Sequence, residues 1–584
     1  MTATLKGRQL KMAFRRPQLR EISMQRTGSL GVKLLYKKSS TGIVINEILP
    51  DGLFSAWNVD HPAQQVVPGD RIVAVGGEQM GAEELFKRIS HDDPLDLAVL
   101  HYDQVRLLSG KRAAVNAALD EKVETLMLRA RTALGAGKGR LVDTSGRVLD
   151  ACTSIRDSAL LTGDILMLHV SRVEVHAGDG AFTAILGDGS VVAWGYDEYG
   201  AESSAVQDQL KNVQQVQASS KAFAAILGNG SVVTWGCVLC GGDSSPVQDQ
   251  LKDVKQIQAT KQAFAAILAD GSVVTWHHTL FGGDSRAVQD RLKNVLQIQA
   301  TASAFAAILG DGSVVTWGDT REGGNSSAVQ HQLKTVQQVQ ATKSAFAAIL
   351  ANGSVVAWGD ARHGGDSSAV QDQLQTVQQV HATHTAFAAI LADGSVVTWG
   401  NAPRGGDSAS VQDELKNVQQ IQASEHDFAA ILADRSVVTW GDPSKGGDSS
   451  GVRHQLKDVQ QIQASHYAFA AILSDGSVVT WGDPRFGGDS SAVQGQLKGV
   501  QQVQATKLAF AAILANGSVV TWGAASQGGD SSAVQSQLKN VQQIQAALFA
   551  FAAILGDGSV VTWGHPAYGG DSSSVRDQLE NVLI

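Results

Sequence analysis

The chain is poor in proline, cysteine and charge. Its 584 residues include 10 prolines and 3 cysteines, and 18% of them are charged. So few cysteines exclude a disulfide-stapled scaffold and fit a reducing compartment. No apolar run approaches the roughly 18 residues that span a bilayer, and residues 1–10 lack the apolar stretch of a signal peptide. We therefore expect no membrane span and a location in the cytoplasm, with the nucleus as the second choice.

Glycine, by contrast, is abundant at 61 residues, and an internal repeat explains most of it. Ten tryptophans recur every 41 residues, at Trp194, Trp235, Trp276, Trp317, Trp358, Trp399, Trp440, Trp481, Trp522 and Trp563. These ten units of 41 residues run from 172 to 581. A fixed period of this length is typical of propellers, solenoids and other repeat arrays.

The repeat unit reads as short β-strands joined by tight turns. In the second unit, apolar residues 222–227 and 232–235 flank Asn229-Gly230, a strong hairpin signal because both turn positions favour positive φ. Nine of the ten units carry Asp-Gly or Asn-Gly at this point, and the seventh carries Asp434-Arg435, where we expect strain. Gly-Gly-Asp marks the next turn. A mostly β unit of this length fits a propeller blade better than a pair of helices.

The string AFAAILADGSVVTWG, residues 386–400, resembles the regulator-of-chromosome-condensation repeat. Its compact form is similar to the short blades of a bacterial β-lactamase inhibitor protein of that superfamily. The resemblance implies a mainly β protein whose residues 172–584 form a β-propeller. The family usually closes seven blades, so ten units leave three arrangements open: a ring of ten, seven blades plus three, or an open spiral.

Residues 19–101 resemble a PDZ domain. The strings that carry the resemblance are GSLGV at 28–32, GIVINEI at 42–48 and PGDRIVAVGG at 68–77. The resemblance implies that Leu30, Gly31 and Val32 form a nest of backbone N–H groups for a peptide carboxylate. Ala82 and Phe86 would then line the groove from a helix over residues 82–89. Alanine instead of histidine at the first helical position favours peptides with apolar side chains.

Residues 104–171 resemble ubiquitin, with a β-grasp order of elements. The first hairpin corresponds to residues 105–111, and a helix with an apolar face at Val123, Leu126, Met127 and Ala130 follows it. Of the family's apolar binding patch, Leu108 and Val142 match, whereas His169 stands where an apolar residue is usual. The resemblance implies binding of ubiquitin-pathway proteins through a patch that departs from the family at His169.

Charge divides along the same boundary. Residues 1–171 hold 23 basic and 19 acidic residues, whereas residues 172–584 hold 24 and 37. The first 38 residues carry ten basic residues and one acid. We interpret residues 1–18 as a basic arm. A disordered terminus is the simpler interpretation of this arm, and contact with nucleic acid or anionic lipid is the alternative. The acidic repeats argue against binding of a phosphate backbone.

No catalytic motif is present. The sequence lacks a phosphate-binding loop, a nucleophile elbow and HExxH, so we predict a protein that is not an enzyme and needs no cofactor. Cys237 and Cys240 form a CxxC, and the equivalent loop of the next unit holds His277 and His278. Neighbouring blades could bring the four side chains together as a zinc site, but two free thiols are the simpler interpretation.

Two windows of the repeat vary while the rest is nearly uniform. One lies between Trp-Gly and Gly-Gly-Asp, and the other precedes the strand that contains the phenylalanine. Aromatic and arginine residues, the types that anchor protein interfaces, recur in the first window. These candidate face residues are Tyr196, Tyr199, Phe281, Arg321, Arg362, His363, Arg404, Arg485, Phe486 and Tyr568. Free drift of loops explains the same variation equally well.

Three functions follow from these resemblances. The first is a protein-interaction scaffold that binds peptide C-termini in the PDZ-like groove and proteins on the propeller face. The second is a HERC-type component of the ubiquitin pathway without its HECT catalytic domain. The third is a guanine-nucleotide exchange factor for a small GTPase.

Overall fold

A computed structural model describes residues 9–13, 18–24, 29–30, 32–35, 43–61, 65–66, 71–76, 78–91, 95–101, 122–134, 139–142, 149, 153–154, 157–158, 165–169 and 173–580. The described residues divide into two compact units, 9–169 and 173–580. Within the described part, no helix is both long and apolar enough to cross a bilayer.

The first unit contains a six-stranded sheet with two helices. Strand β1 (Gln9–Ala13) comes first in the chain and belongs to another sheet. The elements of the six-stranded sheet and its helices are, in chain order, β2 (Gln18–Met24), β3 (Val32–Leu35), β4 (Ile43–Ile48), α1 (Leu53–Asp60), β5 (Arg71–Val75), β6 (Glu78–Gln79), α2 (Ala82–His91) and β7 (Leu95–His101). The sheet order is β2-β7-β5-β4-β3, with β6 on β5. Ile43, Phe54, Ile72 and Leu85 are buried in its core, so both helices cover the same sheet.

The remaining elements of the first unit are α3 (Val123–Leu134), β8 (Arg140–Val142) and β9 (Ile165–His169). The apolar face predicted for α3 is confirmed, since Val123, Leu126, Met127 and Ala130 are all at most 9% exposed. Strand β9 lies between β1 and β8 and runs antiparallel to both. The hairpin predicted at residues 105–111 lies outside the described residues.

The expectation of a disordered arm over residues 1–18 is wrong for Gln9–Ala13. This segment pairs with β9 from Gln9 opposite His169 to Ala13 opposite Ile165. Polar and apolar residues alternate along it, which is the period of a strand, and the surrounding basic residues mask that pattern in the sequence. The pairing satisfies backbone groups that an edge strand would otherwise leave open.

The second unit consists of ten three-stranded antiparallel sheets, here called blades one to ten. The first strands are Glu174–Ala177, Val213–Ala218, Val254–Ala259, Val295–Ala300, Val336–Ala341, Val377–Ala382, Val418–Ala423, Val459–Ala464, Val500–Ala505 and Val541–Ala546. The second strands are Ala181–Ile185, Ala222–Leu227, Ala263–Leu268, Ala304–Leu309, Ala345–Leu350, Ala386–Leu391, Phe428–Leu432, Ala468–Leu473, Ala509–Leu514 and Ala550–Leu555. The third strands are Val191–Gly195, Val232–Gly236, Val273–His277, Val314–Gly318, Val355–Gly359, Val396–Gly400, Val437–Trp440, Val478–Gly482, Val519–Gly523 and Val560–Gly564. After its three strands, blade ten ends in a short helix, Arg576–Leu579.

Alternation along the second strand explains how neighbouring blades pack. In blade five, Ala345 and Ala347 face blade six, where Phe387 and Trp399 complete the same buried cluster. Successive residues of a strand point to opposite faces, so AFAAIL presents small alanines on one side and phenylalanine on the other. A bulky face therefore meets a small face at every junction. The Phe387 and Trp399 rings stack with their centroids 5.1 Å apart.

The invariant turn residues also have identifiable partners. Gly364 adopts φ +90°, and a Cβ on it would lie 2.6 Å from the Phe387 ring of the next blade. The Ser367 hydroxyl donates to Gln371, whose amide donates in turn to the Val355 carbonyl at 2.9 Å. The first glycine and the first serine are present in all ten blades and the glutamine in eight, so these residues hold most connecting segments on their own blade and against the next.

The ten blades close into one ring. Each tryptophan indole donates to a glycine carbonyl in the preceding blade, at 2.9–3.1 Å. This acceptor is the first residue of the Gly-Gly turn in nine blades and of Gly200-Ala201 in blade one. In blade one this acceptor is Gly569 of blade ten. Residues of both blades, including Trp194 and Ala552, share one buried cluster. Of the three arrangements that the sequence leaves open, the structure has the single ring of ten.

Candidate functional site

Both variable windows lie at the same end of every blade. The start of each second strand pairs with the end of the third, as in Ala345 opposite Gly359, whereas the Asp-Gly turn joins their other ends. Backbone and side-chain bonds tie the two windows together: Asp360 N donates to Ser344 O, and Thr342 Oγ1 donates to His363 O. We call this end of the ring the variable face and the other the turn face.

The inner window forms a circle of ten residues around the axis. Its members are Asp179, Ser220, Lys261, Ala302, Lys343, His384, Glu425, His466, Lys507 and Leu548. From Ser220 onward to Leu548 and back to Asp179, each backbone N–H donates to the carbonyl of the next member, giving nine bonds of 2.9–3.3 Å. With strands about 4.8 Å apart, ten of them enclose an opening on the order of 15 Å across. A cavity of about 620 Å³ occupies this opening.

Five consecutive members of the circle form a charged arc that is symmetric about Glu425. His384 Nδ1 lies 3.7 Å from Glu425 Oε1, His466 contacts Oε2 of the same carboxylate, and Lys343 and Lys507 flank the histidines. Contact with a carboxylate favours a protonated imidazole. Burial nevertheless lowers the pKa of His466 to about 4, with Lys507 adding to the effect. Burial also lowers the pKa of His384. The histidines are therefore neutral at pH 7, and the arc carries the positive charges of two lysines against the single carboxylate of Glu425.

The outer window forms a 3-10 turn in most blades, and the predicted face residues divide by their position in it. Second residues of the turn are exposed: Arg321, Arg362 and Arg485. Third residues are half-buried against the inner window: Tyr199, Phe281, His363, Phe486 and Tyr568. Arg404 is a third residue but remains exposed, and Tyr196, just before its turn, is 40% exposed. All ten thus lie on the variable face.

Two of the arginines are engaged within their own turns. Arg321 lies 3.2 Å from Asp319 and Arg485 lies 2.7 Å from Asp483. The hydrogen bond from the guanidinium holds the pKa of each of these carboxyls below its usual value. Each aspartate also accepts from a backbone N–H of its own turn. These arginines would have to leave their partners to meet another protein.

Aromatic side chains concentrate in two places on the variable face. At the junction of blades ten and one, ring contacts link Phe549, Tyr568, Tyr196 and Tyr199. At blades seven and eight, they link His426, His466, Tyr467 and Phe486. The Lys445 ammonium lies 4.5 Å from the centroid of the Tyr467 ring.

Blade seven carries a buried carboxylate where the other nine blades have alanine. Asp427 is fully buried, accepts from Ser424 Oγ at 2.9 Å and from Asp442 N at 2.7 Å. Burial raises the pKa of this carboxyl to about 7. In blade five the corresponding amide, Asp360 N, donates instead to a backbone carbonyl. The carboxylate therefore replaces a main-chain acceptor and shortens the strands of this blade.

The four residues considered as a zinc site lie in neighbouring turns of the variable face. Cys237 is half-buried and Cys240 is 5% exposed, and both are free thiols. Burial, with the Cys237 thiol next in effect, raises the pKa of Cys240 to about 11. His277 occupies the position of the usual Trp-Gly glycine, at φ +85°. Among the described residues, no three His, Cys, Asp or Glu side chains converge closely enough to hold a metal ion.

The predicted peptide groove involves residues of β3 and α2 in the first unit, and it stays a prediction. Val32 belongs to β3, which pairs with β4 and has no second strand partner among the described residues. Leu30 O accepts from Phe54 N, so the preceding loop is fixed to α1. Ala82 is fully buried in the core, whereas Phe86 is 39% exposed. Gly31 lies outside the described residues.

The residues predicted for a ubiquitin-like patch are only partly described. Val142 is half-buried in β8, and the backbone of His169 lies in β9, opposite Arg140. Leu108 lies outside the described residues. The grouping of these three residues therefore stays a prediction.

Sequence reasoning missed the inner circle and the carboxylate of blade seven. The inner window was recognised as variable, but the side chains that share the axis, such as Lys343 and Glu425, are 82 residues apart in the sequence. Only ring closure brings such residues onto one circle. Asp427 had a signal, because it interrupts the Ala-Phe pair that opens the second strand of every other blade.

Comparisons with known proteins give distant structural similarities only. No protein-family model and no curated protein matches the chain. Among solved structures, it is similar to yeast RCC1 (Prp20) bound to Kap60, with 15% identity over 66% of this chain and 89% of that chain, at a TM-score of 0.30. Human WBSCR16 is 14% identical over 65% of this chain and 85% of that chain, at a TM-score of 0.26. The computationally designed Ika8 protein is 14% identical over 53% of this chain and 96% of that chain, at a TM-score of 0.26. Scores this low carry no argument, so the mainly β repeat architecture rests on the strand pairing above.

Proposed function

We propose that the chain is a protein-interaction scaffold, built on a ten-bladed propeller, whose variable face binds other proteins. One observation carries this proposal: the two windows that differ between otherwise near-identical units come together on one end of the ring. The other end is occupied by turns that vary little, Asp-Gly or Asn-Gly in nine blades and Asp434-Arg435 in one. Loops held on a rigid scaffold are the usual place for binding residues.

The chemistry of the variable face fits a protein partner better than a small substrate. Exposed arginines and half-buried aromatics, the residue types of interface anchors, surround a polar axis. The central cavity is lined by lysines, histidines and carboxylates. No set of these residues is arranged as a nucleophile with its base. Binding of peptide C-termini by the groove between β3 and α2 is the second part of the scaffold proposal.

Two further functions from the sequence stay predictions. No described feature separates nucleotide exchange on a small GTPase from binding of another protein on the variable face. The ubiquitin-pathway role depends on residues that are largely outside the described part of the chain.

Site-specific photocrosslinking in cells tests the scaffold proposal. A photoreactive phenylalanine analogue would replace Arg362 or Arg404 on the variable face of the full chain. The matched positions are Asp311 and Asp393, exposed residues of the turn face. We expect discrete adducts with other proteins from the first pair and few from the second.

Equal adducts from both faces, or adducts from the turn face alone, would contradict the proposal. Replacement of Val32 or Phe86 by the same analogue tests the groove separately. Adducts there that a C-terminal peptide competes away would support the second part, and their absence would remove it while leaving the first intact.

A further inference from the structure

The aromatic side chains at the ring junction form a continuous surface, here called the junction patch: Phe549, Tyr568, Tyr196 and Tyr199. Their ring centroids are 4.9 Å apart for Phe549 and Tyr568, and 6.0 Å for Tyr568 and Tyr199. Tyr196 lies 5.4 Å from Tyr199 and is 40% exposed. The patch therefore spans two blades that are adjacent only because the ring closes.

Gly180 makes the room for this patch. A Cβ at this position would lie 2.9 Å from Tyr199 Cγ and 3.2 Å from Tyr568 Cδ1. The other nine blades all carry a side chain here: Lys221, Gln262, Ser303, Ser344, Thr385, His426, Tyr467, Leu508 and Phe549. Since Gly180 is not among the glycines with positive φ, backbone conformation does not require it. Space for the two tyrosines is what the glycine provides.

Blade one has the largest excess of acidic residues in the ring, although some of them, such as Asp188 in its Asp-Gly turn, lie on the turn face. Residues 173–211 of blade one hold seven acidic residues and one basic residue. Residues 540–580 of blade ten hold four acidic residues and one basic residue. Blade three, by comparison, holds four acidic and five basic residues over 253–293. Asp179, Asp197 and Glu198 lie on the variable face beside the tyrosines. The surroundings are thus negative as well as aromatic.

This combination selects for a cation. The face of an aromatic ring attracts Lys and Arg, and nearby carboxylates add a longer-range attraction that a membrane or nucleic acid phosphate would not feel. The Tyr199 side chain already has one such cation contact within the protein, because the Lys221 ammonium lies 4.6 Å from the centroid of its aromatic ring. The exposed Tyr196 offers a second ring face beside Asp197 and Glu198.

We propose that the junction patch docks a basic, partly apolar segment of a partner protein. Arginine or lysine side chains would stack on the tyrosines and pair with Asp197 and Glu198, while apolar neighbours cover Phe549 and Tyr568. The proposal rests on the scaffold function above and names the chemistry of the partner. It assigns the recognition to one junction out of ten.

Binding of defined peptides to the full chain tests the proposal. The probe is a fluorescein-labelled twelve-residue peptide with four arginines and four leucines, compared with the same peptide carrying glutamate for arginine. We expect saturable anisotropy with the basic peptide that weakens as salt rises, and none with the acidic one. Equal binding of both peptides, or of neither, would overturn the proposal.

Variants locate the binding. Asp197→Asn with Glu198→Gln, and separately Tyr196→Ser with Tyr568→Ser, should each weaken the basic peptide about tenfold or more. Gly180→Ser removes no aromatic ring but displaces the tyrosines, and should weaken binding as well. Asp311→Asn with Asp393→Asn makes the same charge change on the turn face and should leave the affinity within about twofold. A loss equal to that of the patch variants would show non-specific attraction instead.

Two outcomes separate this proposal from the scaffold function. Crosslinking from Arg362 and Arg404 without peptide binding would leave the scaffold function standing and remove the basic partner. Sedimentation that shows a dimer, lost in Tyr196→Ser with Tyr568→Ser, would identify a second copy of the chain as the occupant and contradict a separate partner protein.

Discussion

The indole Nε1 of Trp194 donates to the carbonyl oxygen of Gly569 at 3.1 Å, across 375 residues of sequence. The corresponding bond within the ring, from Trp358 to Gly323, is 3.0 Å long and spans 35 residues. The first and last blades therefore meet through the same contact as any two neighbours. Closure by an identical contact means that this hydrogen bond contributes at the junction what it contributes between other blades, and the ring contacts of Tyr568 with Tyr196 and Tyr199 come in addition.

This equivalence predicts matched costs for two substitutions. Trp194→Phe and Trp358→Phe each remove one buried hydrogen bond and part of a ring stacked on phenylalanine, so each should lower the free energy of unfolding by roughly 1–3 kcal/mol. Denaturant unfolding followed by tryptophan fluorescence measures this, since ten of the eleven tryptophans lie in the repeats. A cost at Trp358 with none at Trp194 would show that the ring is open in solution.

The sequence predicts the blade well and the ring poorly, for a physical reason. Strand alternation and turn chemistry are local, so Asn229-Gly230 and the AFAAIL string are enough to place the hairpins. Closure depends on the twist that accumulates over ten sheets, and no single unit of nearly uniform sequence records it. The variable face was recognisable as two windows, but the convergence of Gly180, Tyr199 and Tyr568 required the closed ring.

Arg435 should be a source of strain in blade seven. It has φ +65°, in the left-handed region, where the other nine turns have glycine. A non-glycine residue pays about 1–2 kcal/mol there, partly offset by the flexibility that glycine adds to the unfolded chain. We expect Arg435→Gly to raise the free energy of unfolding by about 0.5–1 kcal/mol. Differential scanning of the full chain against wild type would reveal it.

The reverse substitution is the control. Gly394 of blade six has φ +77°, and a Cβ on it would lie 2.8 Å from Asn417 Cα. Gly394→Arg should therefore destabilise the chain. If Arg435→Gly also destabilises it, the arginine side chain contributes contacts that outweigh its backbone strain.

The two thiols of the CxxC should react at different rates. Cys240 is 5% exposed and its pKa is raised to about 11, so at pH 8 almost none of it is thiolate. Cys237 is half-buried and faces less obstruction. Alkylation of the native chain with iodoacetamide, followed by peptide mass mapping, should label Cys237 first. Prior labelling of Cys240, or protection of both thiols by added zinc, would contradict this assignment.

Asp427 should make the stability of the repeats depend on pH in an unusual direction. Its pKa is about 7 in the folded chain against an ordinary 3.8, so the folded state binds the proton more tightly than the unfolded state. The folded form is then favoured below about pH 4 and loses that advantage progressively as pH rises to 7. At about 1.4 kcal/mol for each pKa unit, the loss is on the order of a few kcal/mol.

Asp427→Asn keeps the side chain's shape and removes its titration, so its gain in unfolding midpoint over wild type should be larger at pH 8 than at pH 4.5. A wild-type profile alone cannot show this, because His426 and His466 act oppositely over the same range. Burial lowers the pKa of both to about 4, so the folded chain favours their neutral form. Their contribution to the free energy of unfolding is therefore complete above pH 6.5 and is lost as pH falls towards 4. The comparison with Asp427→Asn cancels that contribution. A gain that is equal at both pH values would mean that Asp427 is ionised throughout, and that Ser424 and Asp442 N stabilise the charge.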